Sequence, residues 1–343
     1  YAWALGSIDP NASGSVQLGV IVNEAAAPGT YLHNLAELWG TVYVLDPNDP
    51  NSVVPAVRLI ARASVDTPVC CYITPPQTLY VDETAVNGAQ TGVDWPNAFV
   101  SLQDALAFAR SALCGEVESI YVAQGTYSPG DSEDDSFDLT SLPGIALYGG
   151  FKSGGCSWEA RSPEKSKTIL SGRINETTLN NSVVLMGNNT SLAGFTITES
   201  AEYGVYGSGA DFVLEQCQID GNDNYGVRAI NGNVRLVWCN LTGNRWDSIR
   251  HDGAGYTLHL EDCWVKKSGR RGVWCTDSTP VIVNSAISES DMIDFGNEGI
   301  AMINPTYSPQ LQNVTVSHNK SAGLSRFGGA LPQLQNCIVY HNG

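Results

Sequence analysis

Four residues with aromatic or guanidinium side chains recur at nearly constant spacing in the second half of the chain. They are Tyr206, Arg228, Arg250 and Trp274, separated by 22, 22 and 24 residues. Aromatic rings offer flat apolar surfaces for stacking, and a guanidinium binds carboxylates through paired N–H groups. If the spacing brings these side chains to one surface, that surface could bind a carbohydrate that carries acidic groups.

Charged residues cluster in sequence around Arg250 and Trp274. They are Asp247, His251, Asp252, Arg270, Arg271 and Asp277. Hydrolysis of a glycosidic bond would need paired carboxylates acting as acid and base, and a lyase would need carboxylates that hold calcium beside a basic residue. The alternative is a solvated face on which neighbouring charges pair, and the sequence favours this alternative. No catalytic residue is therefore predicted.

The same spacing runs through a ladder of short apolar segments. These are Phe195-Thr-Ile197, Cys217-Gln-Ile219, Cys239-Asn-Leu241, Cys263-Trp-Val265, Ser285-Ala-Ile287, Val314-Thr-Val316 and Cys337-Ile-Val339. A fixed period of this length indicates one supersecondary unit stacked on copies of itself. Each repeat holds three apolar stretches separated by turn residues, which predicts an all-β, right-handed parallel β-helix with about 22–24 residues per coil.

Three further columns follow each ladder segment. Asn or Ser stands five residues after its start, as at Asn222 and Asn244, where we expect left-handed turns bonded to their own backbone. Gly, or Ser in the case of Ser248, stands nine residues after the start and is followed by an aliphatic residue. In one coil, five inserted residues bring Gly299 and Ile300 into these columns. The third apolar stretch recurs as Phe212-Val-Leu214, Val234-Arg-Leu236, Tyr256-Thr-Leu258 and Val281-Ile-Val283.

Strand alternation divides the ladder into inward and outward positions. The inward core residues are predicted to be Cys217, Ile219, Cys239, Leu241, Cys263, Val265 and Cys337. One thiol per coil does not supply the converging ligands of a tetrahedral metal site, so these cysteines are interpreted as small hydrophobic residues. Cys114 and Cys156 are candidates for a disulfide, with free thiols as the open alternative.

An amphipathic helix is predicted at about residues 101–110, inside a cap at about 95–115 that covers the N-terminal end of the solenoid. The segments Tyr80-Val-Asp82, Val122-Ala-Gln-Gly-Thr-Tyr127, Leu147-Tyr-Gly-Gly-Phe151 and Ile169-Leu-Ser-Gly172 accompany it. Together they resemble secreted bacterial right-handed β-helix proteins of the polymorphic outer-membrane type, within the pectate-lyase-like superfamily. The resemblance covers roughly residues 78–343 and implies an extracellular or cell-surface protein, usually without assigned chemistry.

The first 72 residues differ from the repeats and resemble part of an immunoglobulin-like repeat of bacterial surface proteins. The predicted domains are a partial β-sandwich at 1–72, a linker at 73–79 and the β-helix at 80–343. Only three or four strands are visible, against about seven in a whole sandwich. Either the chain is a fragment, which we favour, or a second copy completes the sandwich and makes the protein its own partner.

Charge and composition exclude some classes of partner and cofactor. The net charge of −17 and the lack of a basic stripe exclude a typical nucleic-acid-binding protein, and no apolar run is long enough to span a membrane. An acidic segment contains Asp131, Glu133, Asp134 and Asp135. Calcium prefers clustered carboxylate oxygens, but the spacing of a dedicated loop is missing, so a solvated loop is favoured and no cofactor is predicted.

These observations predict an extracellular structural or adhesive β-solenoid without catalytic activity, and a homopolymeric surface assembly is one form of it. The alternative is a carbohydrate-binding or carbohydrate-active protein, lyase-like or hydrolase-like, that uses the face formed by Tyr206, Arg228, Arg250 and Trp274. Polysaccharide lyases and polygalacturonases share the fold, but the Asn-Thr-Asp and Gly-His-Gly signatures of polygalacturonases are absent from the sequence. Fold alone does not establish activity.

Overall fold

The computed structural model describes residues 31–46, 49–68, 77–111, 117–165, 167–291 and 296–343, the first two ranges as strands only. The chain divides into one unit that ends at Thr74 and another that begins at Pro75. In the first unit, strands Tyr31–Asp46 and Asp49–Pro68 pair antiparallel. The predicted immunoglobulin-like sandwich stays a prediction, because residues 1–30 lie outside the described residues, as does most of the predicted linker, 73–79.

The second unit is a right-handed parallel β-helix of about nine turns, which confirms the predicted fold. Each coil contributes one strand to each of three parallel sheets. Within the described residues, sheet 1 contains Thr78–Val81, Ser119–Ala123, Ala146–Phe151, Thr190–Ala193, Phe212–Glu215, Val234–Val237, Thr257–Glu261, Thr279–Val283, Gln310–Gln312 and Gln333–Gln335. Sheet 2 contains Gly125–Tyr127, Thr168–Ser171, Phe195–Thr198, Gln218–Asp220, Asn240–Thr242, Trp264–Lys266, Ala286–Ser288, Thr315–Ser317 and Ile338–Tyr340. Sheet 3 contains Phe137–Asp138, Ser182–Met186, Tyr203–Ser208, Tyr225–Ile230, Ile249–Asp252, Val273–Thr276, Ile300–Ile303 and Leu324–Phe327.

The apolar ladder forms sheet 2 in the predicted register. Ile219 pairs with Leu241, which pairs with Val265, and all three are almost completely buried. The insertion is absorbed as predicted, because Ile300 pairs with Val273 in sheet 3, although residues 292–295 lie outside the described residues. Each coil thus buries its aliphatic side chains against the coils on either side, and the stack is stabilised cooperatively.

In sheet 1, two of the predicted strand alignments are wrong. Val234 pairs with Leu258, not with Tyr256, because this coil has a longer turn before its sheet 1 strand. In the next coil Ile282 points inward and is fully buried, whereas Val281 pairs with His259 and is only half-buried. A change in turn length shifts the strand register, and a shift of one residue exchanges the two faces of a strand.

The asparagine column is buried and does not form the expected left-handed turns. The residue before each asparagine has the positive φ instead, as at Gly221 (60°) and Gly243 (67°). The Asn222 Oδ1 atom accepts the Ser200 N–H at 3.1 Å, and its Nδ2 atom donates to Asn244 Oδ1 at 2.9 Å. These asparagines therefore bond one coil to the next and satisfy buried backbone groups.

The glycine column leaves room for the asparagines. A Cβ atom on Gly226 would lie 2.8 Å from Asn244 Nδ2, which is too close for any side chain. One coil differs, because Ser248 occupies the glycine position and faces Ser268 in the asparagine position. Their hydroxyl oxygens are 2.7 Å apart, so two small hydrogen-bonded side chains replace the pair of glycine and asparagine.

The N-terminal cap contains the predicted helix, Leu102–Ser111, the one α-helix among the described residues. Its buried stripe is Leu102, Ala105, Leu106 and Ala109, and the Ser101 hydroxyl accepts the Asp104 N–H at 3.4 Å. The helix packs against sheets 1 and 3 and continues the hydrophobic core that runs up to Val316. No helix in the described ranges has the length and apolarity that crossing a membrane requires.

Candidate functional site

The four residues singled out by their spacing lie side by side on sheet 3. Tyr206 pairs with Arg228, Arg228 with Arg250, and Arg250 with Trp274. All four occupy outward positions and are half-buried, because each strand alternates and its neighbours on both sides crowd the column. We call this column, together with Asp252, the sheet 3 face.

Asp252 forms ion pairs with both arginines of the sheet 3 face. Its Oδ2 atom lies 2.6 Å from Arg228 Nη2 and 3.1 Å from Arg250 Nε. Arg250 also donates from Nη1 to the Tyr225 hydroxyl at 3.2 Å. The side chains of Arg228, Arg250 and Asp252 are only 12%, 26% and 19% exposed, so the pairs are shielded from solvent.

Three guanidinium groups lie close to the ring of Trp274. The Cζ atoms of Arg250 and Arg271 lie 4.3 Å and 4.0 Å from its ring centroid. Arg270 lies 5.2 Å from the same ring and 5.3 Å from that of Trp246. These distances are within the range of cation–π attraction, and the contacts of Arg250 with Trp274 and of Arg270 with Trp246 join adjacent coils.

Asp247 is the most perturbed carboxyl group near this face. It is completely buried, and burial raises its pKa to about 6 although Arg271 opposes the shift. Its Oδ1 atom accepts the Arg271 backbone N–H at 3.1 Å, while Arg271 Nε donates to Glu298 at 2.8 Å. A carboxyl group without exposed surface cannot contact a substrate in solvent, so its role is to hold Arg271 and the turn around it.

Two other residues near Arg250 in sequence do not join the sheet 3 face. His251 directly follows the outward Arg250 and therefore points inward, where Nε2 lies 2.8 Å from the Gly232 carbonyl oxygen. Burial lowers the pKa of this imidazole. Asp277 occupies a left-handed turn position, with φ of 59°, and is exposed.

The inward cysteines donate hydrogen bonds at the corner between sheets 1 and 2. Cys239 Sγ, for example, lies 3.4 Å from the Leu214 carbonyl oxygen of the preceding coil. The thiols of Cys217, Cys239 and Cys263 are free and buried, and Cys337 is free and half-buried. The proposed disulfide is not tested, because Cys156 is free among the described residues and Cys114 lies outside them.

The acidic segment considered for calcium is engaged in turn formation. Asp135 Oδ2 accepts the Ser132 N–H at 2.9 Å, and Asp134 Oδ1 accepts Asn181 Nδ2 at 3.0 Å. In the part of the chain that the structure describes, no group of three or more His, Cys, Asp or Glu residues is arranged to hold a metal ion.

Sequence analysis missed the aromatic residues that extend the sheet 3 face. The Tyr203 ring stacks on Tyr206 at 5.0 Å and on Tyr225 at 5.7 Å. Tyr203 pairs with Tyr225 across the coils, so their shared spacing of 22 residues could have revealed them. A groove of about 560 Å³ on sheet 1 was missed as well, and its polar lining includes Asp211 and His259.

The chain is similar in structure to proteins of known structure. The chain is similar to pectate lyase Pel9A, with 17% identity and a TM-score of 0.54, over 72% of this chain and 64% of that enzyme. It thus spans about two thirds of the length of that enzyme. It is also similar to the pectin methylesterase from Aspergillus niger in its deglycosylated form, with 14% identity and a TM-score of 0.44, over 80% of this chain and 87% of the other.

At these identities the similarity concerns the fold alone. A comparison with curated proteins found no match. Residues 87–342, which include the cap helix, all of the regular coils and the sheet 3 face, match one protein family. The chain therefore belongs to the family described as "Protein of unknown function (DUF1565)".

Proposed function

We propose that the protein is an extracellular structural or adhesive β-solenoid without catalytic activity. The observation that carries this proposal is the pairing of Asp252 with both Arg228 and Arg250 on the sheet 3 face. A lyase or glycosidase needs a carboxylate or a base that is free to act on its substrate. Here the Asp252 carboxylate is already paired with both arginines, and the buried Asp247 has no access to solvent.

The contacts between successive coils support a structural role. Buried asparagines such as Asn222 and Asn244 bond successive coils, and the ion pairs and ring contacts of the sheet 3 face add links on the outside. A long regular stack with links on both its inside and its outside is rigid along its axis. This property suits a surface fibre or a spacer that presents a binding surface, and its cell-surface location is part of the proposal.

The experiment that tests the proposal is a turnover assay on the full chain with pectin, pectate and neutral polysaccharides. We expect no new reducing ends and no unsaturated products above those of heat-denatured protein. Product formation that Asp252→Asn abolishes and the exposed control variant Asp277→Asn retains would establish an enzyme acting at the sheet 3 face. Calcium is added in one series, so that a metal-dependent lyase is also detected.

Self-association is the second part of the proposed structural role. Sedimentation velocity at increasing protein concentration should reveal species larger than the monomer if copies complete or stack on one another. If the protein is a monomer at every concentration, the fibre hypothesis is excluded and the adhesive role remains. Labelling of intact source cells with a membrane-impermeant reagent tests the extracellular location independently.

A further inference from the structure

Two exposed tryptophans lie on neighbouring coils at the corner between sheets 1 and 2. Trp238 is 55% exposed and Trp264 is 61% exposed. The Trp264 backbone N–H donates to the Cys239 carbonyl oxygen at 2.9 Å, which places Trp264 beside the residue that follows Trp238. Unlike the aromatic residues of the sheet 3 face, neither indole lies against an arginine or another aromatic ring in the described part of the chain.

Trp238 adopts a backbone conformation that its residue type disfavours. Its φ is 51°, in the left-handed region, where a large side chain costs roughly 1–2 kcal/mol. The same turn position in the other coils holds residues that are small or polar. They are Gly194, Gln216, Asp262, Asn284, Asn313 and Asn336. A strained residue persists where its side chain serves a purpose that the backbone alone does not require.

The Trp238 indole is also fixed in place. Its Nε1 atom donates to Asp262 Oδ2 of the next coil at 3.1 Å, so the ring lies along the solenoid axis towards the strand of Trp264. Lys266 Nζ lies 5.9 Å from the Trp264 ring centroid. We call Trp238, Asp262, Trp264 and Lys266 the tryptophan corner. A preorganised ring loses little conformational freedom when a ligand stacks on it.

We propose that the tryptophan corner binds an uncharged polysaccharide, whose sugar rings stack on the two indoles. The inference names a ligand class for the adhesive role and therefore rests on the proposed function. One carboxylate and one ammonium group flank the rings, so the surface offers hydrogen-bonding groups for hydroxyls without a local net charge. The net charge of −17 on the whole chain disfavours an acidic polymer.

A protein partner fits this surface less well than a sugar. An aromatic side chain has about 150–250 Å² of surface, so the exposed parts of two indoles amount to roughly 200–300 Å². A stable protein–protein interface buries about 1,200–2,000 Å². The polar side chains of Gln218 and Asn240, which precede Trp264 in the outward column of sheet 2, do not extend the apolar patch.

The test is affinity electrophoresis of the full chain in gels that contain one neutral polysaccharide each: a β-glucan, xyloglucan, galactomannan or mannan. We expect at least one of them to retard the wild type. Trp238→Ala and Trp264→Ala should each weaken this binding about tenfold or more, as truncation of a central aromatic contact does. Tyr307→Ala is the matched control, because Tyr307 is 62% exposed and lies outside the corner, and it should bind as the wild type does.

Two results would overturn the inference: no retardation by any of the four polymers, or retardation that the double variant Trp238→Ala/Trp264→Ala retains. Thermal unfolding of each variant shows whether a loss of binding reflects a loss of folding. Failure of the inference is distinguishable from failure of the proposed function. Absent binding contradicts only the tryptophan corner, whereas retardation accompanied by products in the turnover assay contradicts only the non-catalytic role.

Discussion

Two outer surfaces of the same solenoid carry tryptophan, and their surroundings differ. On the sheet 3 face, Trp274 contacts Arg250 and Arg271, and Arg250 is also paired with Asp252. At the tryptophan corner, Trp264 is 61% exposed, and the neighbouring Trp238 is 55% exposed and donates from Nε1 to Asp262. The same residue type links coils on one surface and remains available to a ligand on the other. The partners supplied by adjacent coils decide which role it takes.

The largest expected difference in the free energy of unfolding comes from replacing one tryptophan with alanine on each surface. Trp274→Ala removes the ring that at least two guanidiniums contact and should lower the free energy of unfolding by about 2–4 kcal/mol. Trp264→Ala removes an exposed ring and should change it by less than about 0.5 kcal/mol. Urea denaturation followed by circular dichroism measures both. Equal losses would mean that the two surfaces do not differ as described.

The pH dependence of stability distinguishes the buried carboxyl group beneath the sheet 3 face. Because the folded-state pKa of Asp247 is about 6, above the ordinary value of 3.8, the folded state holds its proton more tightly than the unfolded state does. Stability contributed by this group is thus full below pH 3.8 and falls as the pH rises to about 6, by on the order of 2–3 kcal/mol.

Asp247→Asn removes this titration and should flatten the profile between pH 4 and 7. Denaturation of wild type and variant across that range measures the difference. Trp264→Ala, at the tryptophan corner, is the comparison variant; it removes no titratable group and should keep the slope of the wild type. A slope that Asp247→Asn leaves unchanged would show that another group titrates.

A smaller effect is expected from the ion pairs of the sheet 3 face. Asp252→Asn leaves Arg228 and Arg250 without their shared carboxylate and should cost about 1–2 kcal/mol, less at high salt because screening weakens the pairs. Asp262→Asn should cost under about 0.5 kcal/mol, since the amide oxygen of Asn can still accept the hydrogen bond of the exposed indole. The contrast is measured as the salt dependence of the urea midpoint, and a salt-independent loss at Asp252 would contradict it.

The smallest effect has the opposite sign. Trp238→Asn places a residue that tolerates the left-handed region at φ of 51° and should raise the free energy of unfolding by about 0.5–1 kcal/mol. The same variant should lose polysaccharide binding. A gain in stability together with a loss of binding would identify the strain as functional. A loss of stability would assign Trp238 a structural role.

Much of the solenoid could be predicted because its signal repeats. The core column of Ile219, Leu241 and Val265 and the outward column of Arg228 and Arg250 both follow from one period and from strand alternation. Prediction was less successful where a turn changes length, as before Leu258, since the register beyond it then shifts. The asparagine column was located correctly but given the wrong conformation, because its bonding partners belong to other coils.

The sequence by itself determined the repeat, the inward and outward columns and the four residues that meet on sheet 3. These depend on spacing and alternation, which are local and periodic. Only the tertiary structure decided that Asp252 forms ion pairs with Arg228 and Arg250. It also decided that Asp247 is buried beside Arg271 and that Trp238 is exposed in a strained turn. The physical reason is that each of these states depends on side chains about one coil away, and the path of the turns between them sets which atoms meet.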